Sequence, residues 1–496
     1  MLDRCYFDLE LRNIIKNQAN MKLKYDPSDN QGFWDSINQI PGYPSQEDIR
    51  LRQIIIESGA IYQLPQIIAS INSLKQFRSI LVVMDTTIMR RGSEELKQAI
   101  LNILANTGLQ INPLIIKPDQ TGIVHTEMTH ISHVKSFIQP DMIVISVGSG
   151  VITDITKHAC YLYEQETNAT INWIAYQTAN SVSAFTSNMA PILIDGVKRT
   201  LDSRFADILI CDLETLRDAP RDMTIAGVGD LLAGGISIGD WYLANQLGMD
   251  DTYNEFPQTL LGPICQLLEK CSAEINALTL SGMATLAKLI SLNGLAISLT
   301  HASTPYSGFE HVMSHMLDLE NEMAGLPTLL HGAQVGLTTI IGAEIYQYVL
   351  NSFSPTQNNI DEYFPSVDKS KAMLMDVFDK IDLSGKAGLE CWHDYQQKLE
   401  KWHQNRQIIE LFLSNWETIK QQLATLVSSP QSIRGILSAV HGPKTIADFS
   451  PSLTEQQLKF AFMNAPLMRK RFTIGDFLIF FKIDRESLWE NILQTM

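Results

Sequence analysis

The sequence predicts an α/β half built on a parallel sheet, followed by an all-helical half. Two observations predict it. Up to about residue 215, short apolar runs rich in Val and Ile alternate with amphipathic stretches, the pattern of strands covered on both faces by crossover helices. From APRDMTIAGVGDLLAGG onward nearly every segment has helical periodicity, and the β-branched runs disappear. A chain of 496 residues exceeds what one core organises. We therefore divide it into a variable lead-in (1–45), an α/β domain (46–218) and a helical domain (219–496).

The elements follow in order. The lead-in ends in the turn-rich IPGYPS. SILVVMD is a strand closed by Asp85, and SEELKQAILNILANTG is the helix after it. INPLIIKP is a strand, HTEMTHISHVKSFIQP a helix, and MIVISVG and INWIAY two further strands. APILIDGVKRT and ADILICDLETL read as a hairpin-like pair that closes the α/β part. Within the helical part, SFSPTQNNIDEYFPSVDKS is a polar, proline-containing break expected to be an exposed loop.

Composition narrows the function. Hydrophobic residues make up 45% and charged residues 19%, as in a well-folded globular protein. A net charge of -16 repels nucleic acid and anionic membranes, which sets both aside as main partners. An anionic small molecule would need local positive charge or free backbone N–H groups. Six cysteines without C-x-x-C spacing fit reduced thiols in a cytoplasmic protein better than disulfides or a thiolate zinc site. MLDRCYFDLELRN has no apolar signal core, and no apolar run is expected to approach the ~20 residues of a membrane helix. A homodimer is the expected assembly.

Three constellations carry chemistry. In VGSGVITDITK, directly after a strand, Gly148 and Gly150 permit a tight turn and close approach of a ligand. The helix that begins there, carrying Asp154 and Lys157, offers its first amides to a pyrophosphate. A plain strand-to-helix turn reads the same way, since Thr153 stands at the third glycine position. Asp85, at a strand end, can accept from both ribose hydroxyls and would repel a 2′-phosphate, favouring NAD(H) over NADP(H); it can equally be a helix cap. The third constellation is Asp230 in AGVGDLL, His311 and His315 one helical turn apart in FEHVMSH, and His331 in LHG. One carboxylate with two imidazoles suits a divalent metal with an open position, although an i,i+4 histidine pair is also a common solvated helix face.

The runs GSGVITDITK, QTANSVSAFTSNMAPILIDGVKRTL, CDLETLRDAPRDMTIAGVGDLLAGGISIGDWYLAN, FEHVMSH, LHGAQVG and LKFAFMNAPLMRKRFTIGDFL together resemble the sn-glycerol-1-phosphate dehydrogenases. These belong to the superfamily of iron-dependent alcohol dehydrogenases, glycerol dehydrogenase and dehydroquinate synthase. The resemblance spans roughly residues 50–350 and 400–480. It implies a Rossmann-like first domain and a helical second domain, in the dehydroquinate synthase-like arrangement, with the site in the cleft between them. It implies metal ligands at Asp230, His311 and His331, and His315 close to the nicotinamide or substrate. It places Gly148, Ser149, Gly150, Asp154, Thr178 and Ser181 along the dinucleotide, with Asp85 at the adenosine ribose. The implied reaction is NAD(P)H-dependent reduction of dihydroxyacetone phosphate with one divalent ion: zinc, or alternatively nickel or iron.

Two positions depart from the family pattern. Ser183 stands where the family has an aspartate near substrate and nicotinamide, and its hydroxyl can hold a water or a substrate hydroxyl but not a charge. Gly234 stands where the family tends to carry lysine, which removes an anion partner; Lys198, Arg199, Arg469 and Arg471 are the candidate replacements. These departures keep two alternatives open: a reductase of another polyol, hydroxyketone or phosphonate aldehyde, and a non-catalytic relative.

Overall fold

The computed structural model describes residues 23–43, 49–120, 122–194, 197–300, 303–355 and 360–496. Cys5, most of the lead-in and the centre of the polar break lie outside the described residues.

Ten strands are named in chain order: β1 (Gln53–Glu57), β2 (Ser79–Asp85), β3 (Arg90–Arg91), β4 (Glu94–Glu95), β5 (Gln110–Ile116), β6 (Met142–Gly148), β7 (Asn172–Gln177), β8 (Met189–Ile194), β9 (Val197–Asp202) and β10 (Ile208–Asp212). Six form one parallel sheet in the order β1-β10-β7-β6-β2-β5. The apolar alternation explains why both faces are covered. Ile80, Val82, Met84, Ile143, Ile145 and Val147 pack on one side, and Leu81, Val83 and Val144 on the other. The chain leaves β2 towards β5 but leaves β6 towards β7, so the order reverses between β2 and β6. In open α/β sheets ligands bind in the crevice at such a reversal, beyond the carboxyl ends of the strands. Asp85 ends β2 and Gly148 ends β6, so both stand at its mouth.

The structure corrects several expectations. The hairpin is β8 with β9, both largely within APILIDGVKRT, whereas ILICD is β10, a buried strand inside the main sheet. Both stretches are apolar and short, so pattern alone does not separate a hairpin arm from a buried parallel strand. The helix after β2 begins only at Leu96, because Glu94–Glu95 first pair with Arg90–Arg91 and Glu95 caps the helix. The described part of the lead-in is no loose extension: Phe33, Ile37 and Ile40 are buried in the main core, and Lys288 holds Asp26 at 2.6 Å.

After β10 every named element is helical. The helix Leu280–Leu299 corrects the expectation about apolar runs, since its 20 residues and mean hydropathy of 1.4 suffice for a membrane span. Within the fold 78% of that stretch is buried, as for a core helix. The polar break contains a short 3₁₀ turn, Ile360–Tyr363, whose Tyr363 is buried and accepts from Trp402 Nε1 at 2.8 Å.

Candidate metal and nucleotide site

The helix Gly150–Thr167 starts at the end of β6 with no side-chain cap, leaving its first amides free at the crevice. Both glycines are sterically required: a Cβ at Gly148 would run into Ile152 and one at Gly150 into Val182. Ser149 is half-buried at the helix start, Thr178 N donates to Gly148 O at 3.2 Å, and Ser181 is buried beside them. Asp154 lies one turn further in and is buried. It receives Lys157 Nζ at 2.6 Å, and that ammonium also donates to Ala184 O and Met189 O, both at 2.8 Å. Asp154 is thus part of a latch on the segment that carries Ser183. Asp85 accepts from Lys97 Nζ at 2.5 Å and from Thr87 N and Oγ1 at 3.1 and 2.8 Å.

The segment after β7 is tied to the helical half at several points. Asn180 Nδ2 donates to Met283 O, Thr186 Oγ1 to Ser291 O, and Ser298 Oγ accepts from Asn188 N, each at 2.8–3.1 Å. Ser183 sits in the middle of this clamp, half-buried, and its hydroxyl has no partner among the described residues.

Asp230, His311 and His331 come from three helices, Arg221–Leu232, Phe309–Met323 and His331–Ser352. The first and third cross where a Cβ on Gly229 would overlap Gly332 O and one on Gly332 would overlap Ala226 O. Only glycine lets the backbones meet this closely, and the meeting sets Asp230 beside His331. Their ligand atoms, with that of His311, lie within 4.8 Å of one another. His311 Nε2 is 3.5 Å and His331 Nε2 3.8 Å from the same oxygen, Asp230 Oδ1.

The hydrogen bonds around the three histidines assign their tautomers. Glu310 Oε1 accepts from His311 Nδ1 at 2.9 Å, which leaves the lone pair on Nε2, facing Asp230. Gln334 Nε2 donates to Asp318 Oδ1, so Gln334 Oε1 accepts from Ser314 Oγ, and that hydroxyl in turn accepts from His331 Nδ1 at 3.2 Å. His331 Nε2 is therefore also a lone pair facing Asp230. His315 is wired the opposite way: Arg469 Nη2 lies 3.2 Å from its Nδ1, and a guanidinium only donates, so the hydrogen of His315 sits on Nε2. Those assignments hold for the neutral rings; with no ion between them, electrostatics adds a second proton at His311 alone, on Nε2 towards Asp230. Burial disfavours the charged form of all three, but Asp230 and Glu310 outweigh it at His311 and raise it to about 9. Burial and the His311 charge push His331 down to about 3, and burial with Arg469 and Lys198 pushes His315 far down. The proton on His311 neutralises Asp230, a role a divalent ion takes over on displacing it.

The model of the iron-containing alcohol dehydrogenase family matches residues 55–220. The glycerol-1-phosphate dehydrogenase [NAD(P)+] of Bacillus subtilis (strain 168) is 29% identical over 315 residues, covering 62% of this chain and 76% of that protein. The chain is thus similar to the iron-containing alcohol dehydrogenase family over its α/β part. The enzyme of the same name from Pyrococcus furiosus is 31% identical over 202 residues, 41% of this chain and 55% of that one. Among solved structures, an alcohol dehydrogenase from Oenococcus oeni superposes with a TM-score of 0.52 at 14% identity, covering 91% of this chain and all of that one. A probable glycerol dehydrogenase from Sinorhizobium meliloti 1021 gives 0.51 at 14%, covering 89% and 97%. At such identities these two establish the fold.

Several residues that the sequence did not single out line the candidate site. Glu310, Ser314 and Gln334 orient the two imidazoles, and Lys97 holds Asp85. Glu310 directly precedes His311, which was the available sequence signal; the others carry none. Of the four cationic candidates, Arg199 is consumed by Glu390 and Asp394, both at 2.7 Å. Arg471 is spent on Ser307 and Ser303, whereas Arg469 and Lys198 stand by His315.

Proposed function

We propose that this protein is a metal-dependent, NAD(P)H-linked dehydrogenase that reduces dihydroxyacetone phosphate to sn-glycerol 1-phosphate. The observation that carries the reading is the opposite wiring of the histidines: His311 and His331 have Nδ1 anchored and turn Nε2 towards the Asp230 carboxylate, while His315 has Nδ1 occupied by Arg469 and carries its hydrogen on Nε2. Two imidazoles and one carboxylate make a donor set for zinc, nickel or ferrous iron, with room for a substrate oxygen. Asp230, His311 and His331 would hold the ion. When bound, the ion polarises the ketone oxygen and the dihydronicotinamide supplies the hydride.

The chain's own residues do the rest. The uncapped amides after Ser149 and Gly150, with Thr178 and Ser181, face the pyrophosphate. Asp85 accepts from the ribose hydroxyls and disfavours a 2′-phosphate, which supports NAD(H) over NADP(H). Hydride reaches the carbonyl carbon while the carbonyl oxygen gains charge. His315 donates a hydrogen bond from Nε2 to that oxygen, directly or through one water, and as the oxygen takes its proton along this path the ring regains one from solvent, so that it ends neutral. Ser183, whose hydroxyl is unengaged among the described residues, would hold a substrate hydroxyl or that water. The five described cysteines are buried and unpaired, which supports a reducing, cytoplasmic setting, and a homodimer is the assembly we expect.

The deciding experiment is NADH oxidation with dihydroxyacetone phosphate, using chelated protein, the same protein given zinc, nickel or iron, and His331→Ala. Metal affinity is measured alongside by chelator competition. Metal-dependent turnover lost in the variant is the expected result. Metal and NADH binding without turnover of this ketone, while unphosphorylated ketones or aldehydes react, would overturn the substrate.

A further inference from the structure

Position 234 explains what the chain lacks. A Cβ at Gly234 would press on the Tyr306 ring at 3.0 Å and on Ile264 at 3.1 Å, so the space a lysine stem needs is already packed. A phosphorylated substrate must find its cation elsewhere.

Arg469 follows the 3₁₀ segment Ala465–Met468 and enters beside His315. Its Nη2 is committed to Lys198 O and His315 Nδ1. Its Nη1 is closed to solvent and makes no hydrogen bond, and the guanidinium forms no ion pair among the described residues. A buried cation with no carboxylate at contact distance, Asp394 acting on it only from further off, and with an unmade donor is a costly arrangement that marks a missing partner. Burial and then the charge of Arg199 lower Arg469 to about 10, so it stays protonated at neutral pH. Lys198 supplies a second positive charge. Its Nζ is 3.4 Å from Asp318 Oδ2, a long pairing, and Asp318 is already engaged by Gln334 through its other oxygen. The opposing carboxylate nearby, Glu322, is pushed up to about 7 by burial and by Asp318, which blunts its repulsion of an anion.

We infer that Arg469, seconded by Lys198, is the seat for a phosphate monoester on the substrate, in place of the lysine absent at 234. The inference rests on the reading that the substrate is a ketone phosphate. Nη1 offers two hydrogens to phosphate oxygens, and Lys198 offers a mobile ammonium. Because the same guanidinium touches His315 Nδ1, an anion on Nη1 is one side chain from the proton donor. Nη1 is closed to solvent, so this seat requires neighbouring side chains to part around the ligand.

The test compares dihydroxyacetone phosphate with dihydroxyacetone on the metal-loaded holoenzyme, for the natural chain, Arg469→Gln, Arg469→Lys and Lys198→Gln. The readout is the ratio of the two kcat/KM values, which cancels whatever a variant does to His315. Arg469→Gln should lower the ratio about 30-fold or more, as expected for losing one partner of a buried charge pair. Lys198→Gln should lower it less, mainly through KM. Binding of inorganic phosphate to the metal- and NADH-loaded protein, followed by thermal shift, is measured in parallel. If the natural chain reduces the phosphorylated ketone and every variant keeps the ratio, the seat is wrong and the function stands. If the natural chain reduces neither ketone yet binds phosphate in an Arg469-dependent way, the seat stands and the proposed reaction fails. Should Arg469→Gln not fold, Arg469→Lys and Lys198→Gln decide, and unchanged ratios and phosphate binding in both overturn the inference.

Discussion

Replacing Gly229 with alanine adds one methyl group where the helices Arg221–Leu232 and His331–Ser352 cross, directly against Gly332 O. To restore an ordinary contact the helices must part by about 1 Å or more. Such overpacking costs roughly 1–3 kcal/mol of stability. The effect on the site is larger, because Asp230 and His331 ride on the two helices that separate. Their facing atoms are 3.8 Å apart, close to the spacing of two ligands on one ion. Metal–ligand distances tolerate only about 0.2 Å, so a shift of about 1 Å forfeits a ligand. We expect metal affinity to fall at least about 100-fold while the fold survives. The assay is chelator competition for zinc, with thermal unfolding alongside. Gly435→Ala is the control: nothing lies within 4 Å of the added methyl, and helix propensity predicts a gain of about 0.5–1 kcal/mol. Natural metal affinity in Gly229→Ala would refute the claim that this crossing sets the ligand geometry.

Three further outcomes are expected. Glu310→Gln removes the carboxylate that accepts from His311 Nδ1 and should weaken metal binding about 10- to 100-fold by chelator competition; unchanged affinity would count against its orienting role. Lys157→Met strands the buried Asp154 and two carbonyls, so urea unfolding should show a loss of about 3–5 kcal/mol, largely recovered in Asp154→Leu/Lys157→Met; a loss under about 1 kcal/mol would dissolve the latch. Asp85→Ser removes the repulsion of a 2′-phosphate and frees Lys97 to attract one, so the NADPH to NADH ratio of kcat/KM should rise about 10-fold or more; a static ratio would remove Asp85 from the ribose.

What could be read from the sequence was what short-range pattern encodes. The buried strands announce themselves by continuous apolar runs, and Gly148 and Gly150 by their place after β6. Asp230, His311 and His331 are visible because ligand residue types are few. The direction of each imidazole is not, since it depends on partners such as Arg469, 154 residues from His315. Gly234 looks like a lost functional group until Tyr306 is seen to fill its space. The hairpin is not legible in the sequence, because β10 and β8 share composition and differ only in what lies beside them. The helix Leu280–Leu299 does not read as one apolar run because Lys288 interrupts it, and the fold pairs that ammonium with Asp26.

The sheet also imposes a timetable on synthesis. The partner of β1 is β10, which leaves the ribosome about 150 residues later, some 10–30 s at ordinary elongation rates. Through that interval the apolar Ile54–Ile56 run is a strand without its neighbour. Asn30, already made, binds both Ile54 N and Ile54 O through its side chain at 2.7 and 3.2 Å. In the folded chain a single amide thus occupies the outward backbone groups of Ile54, on the edge opposite β10, where another chain would otherwise pair.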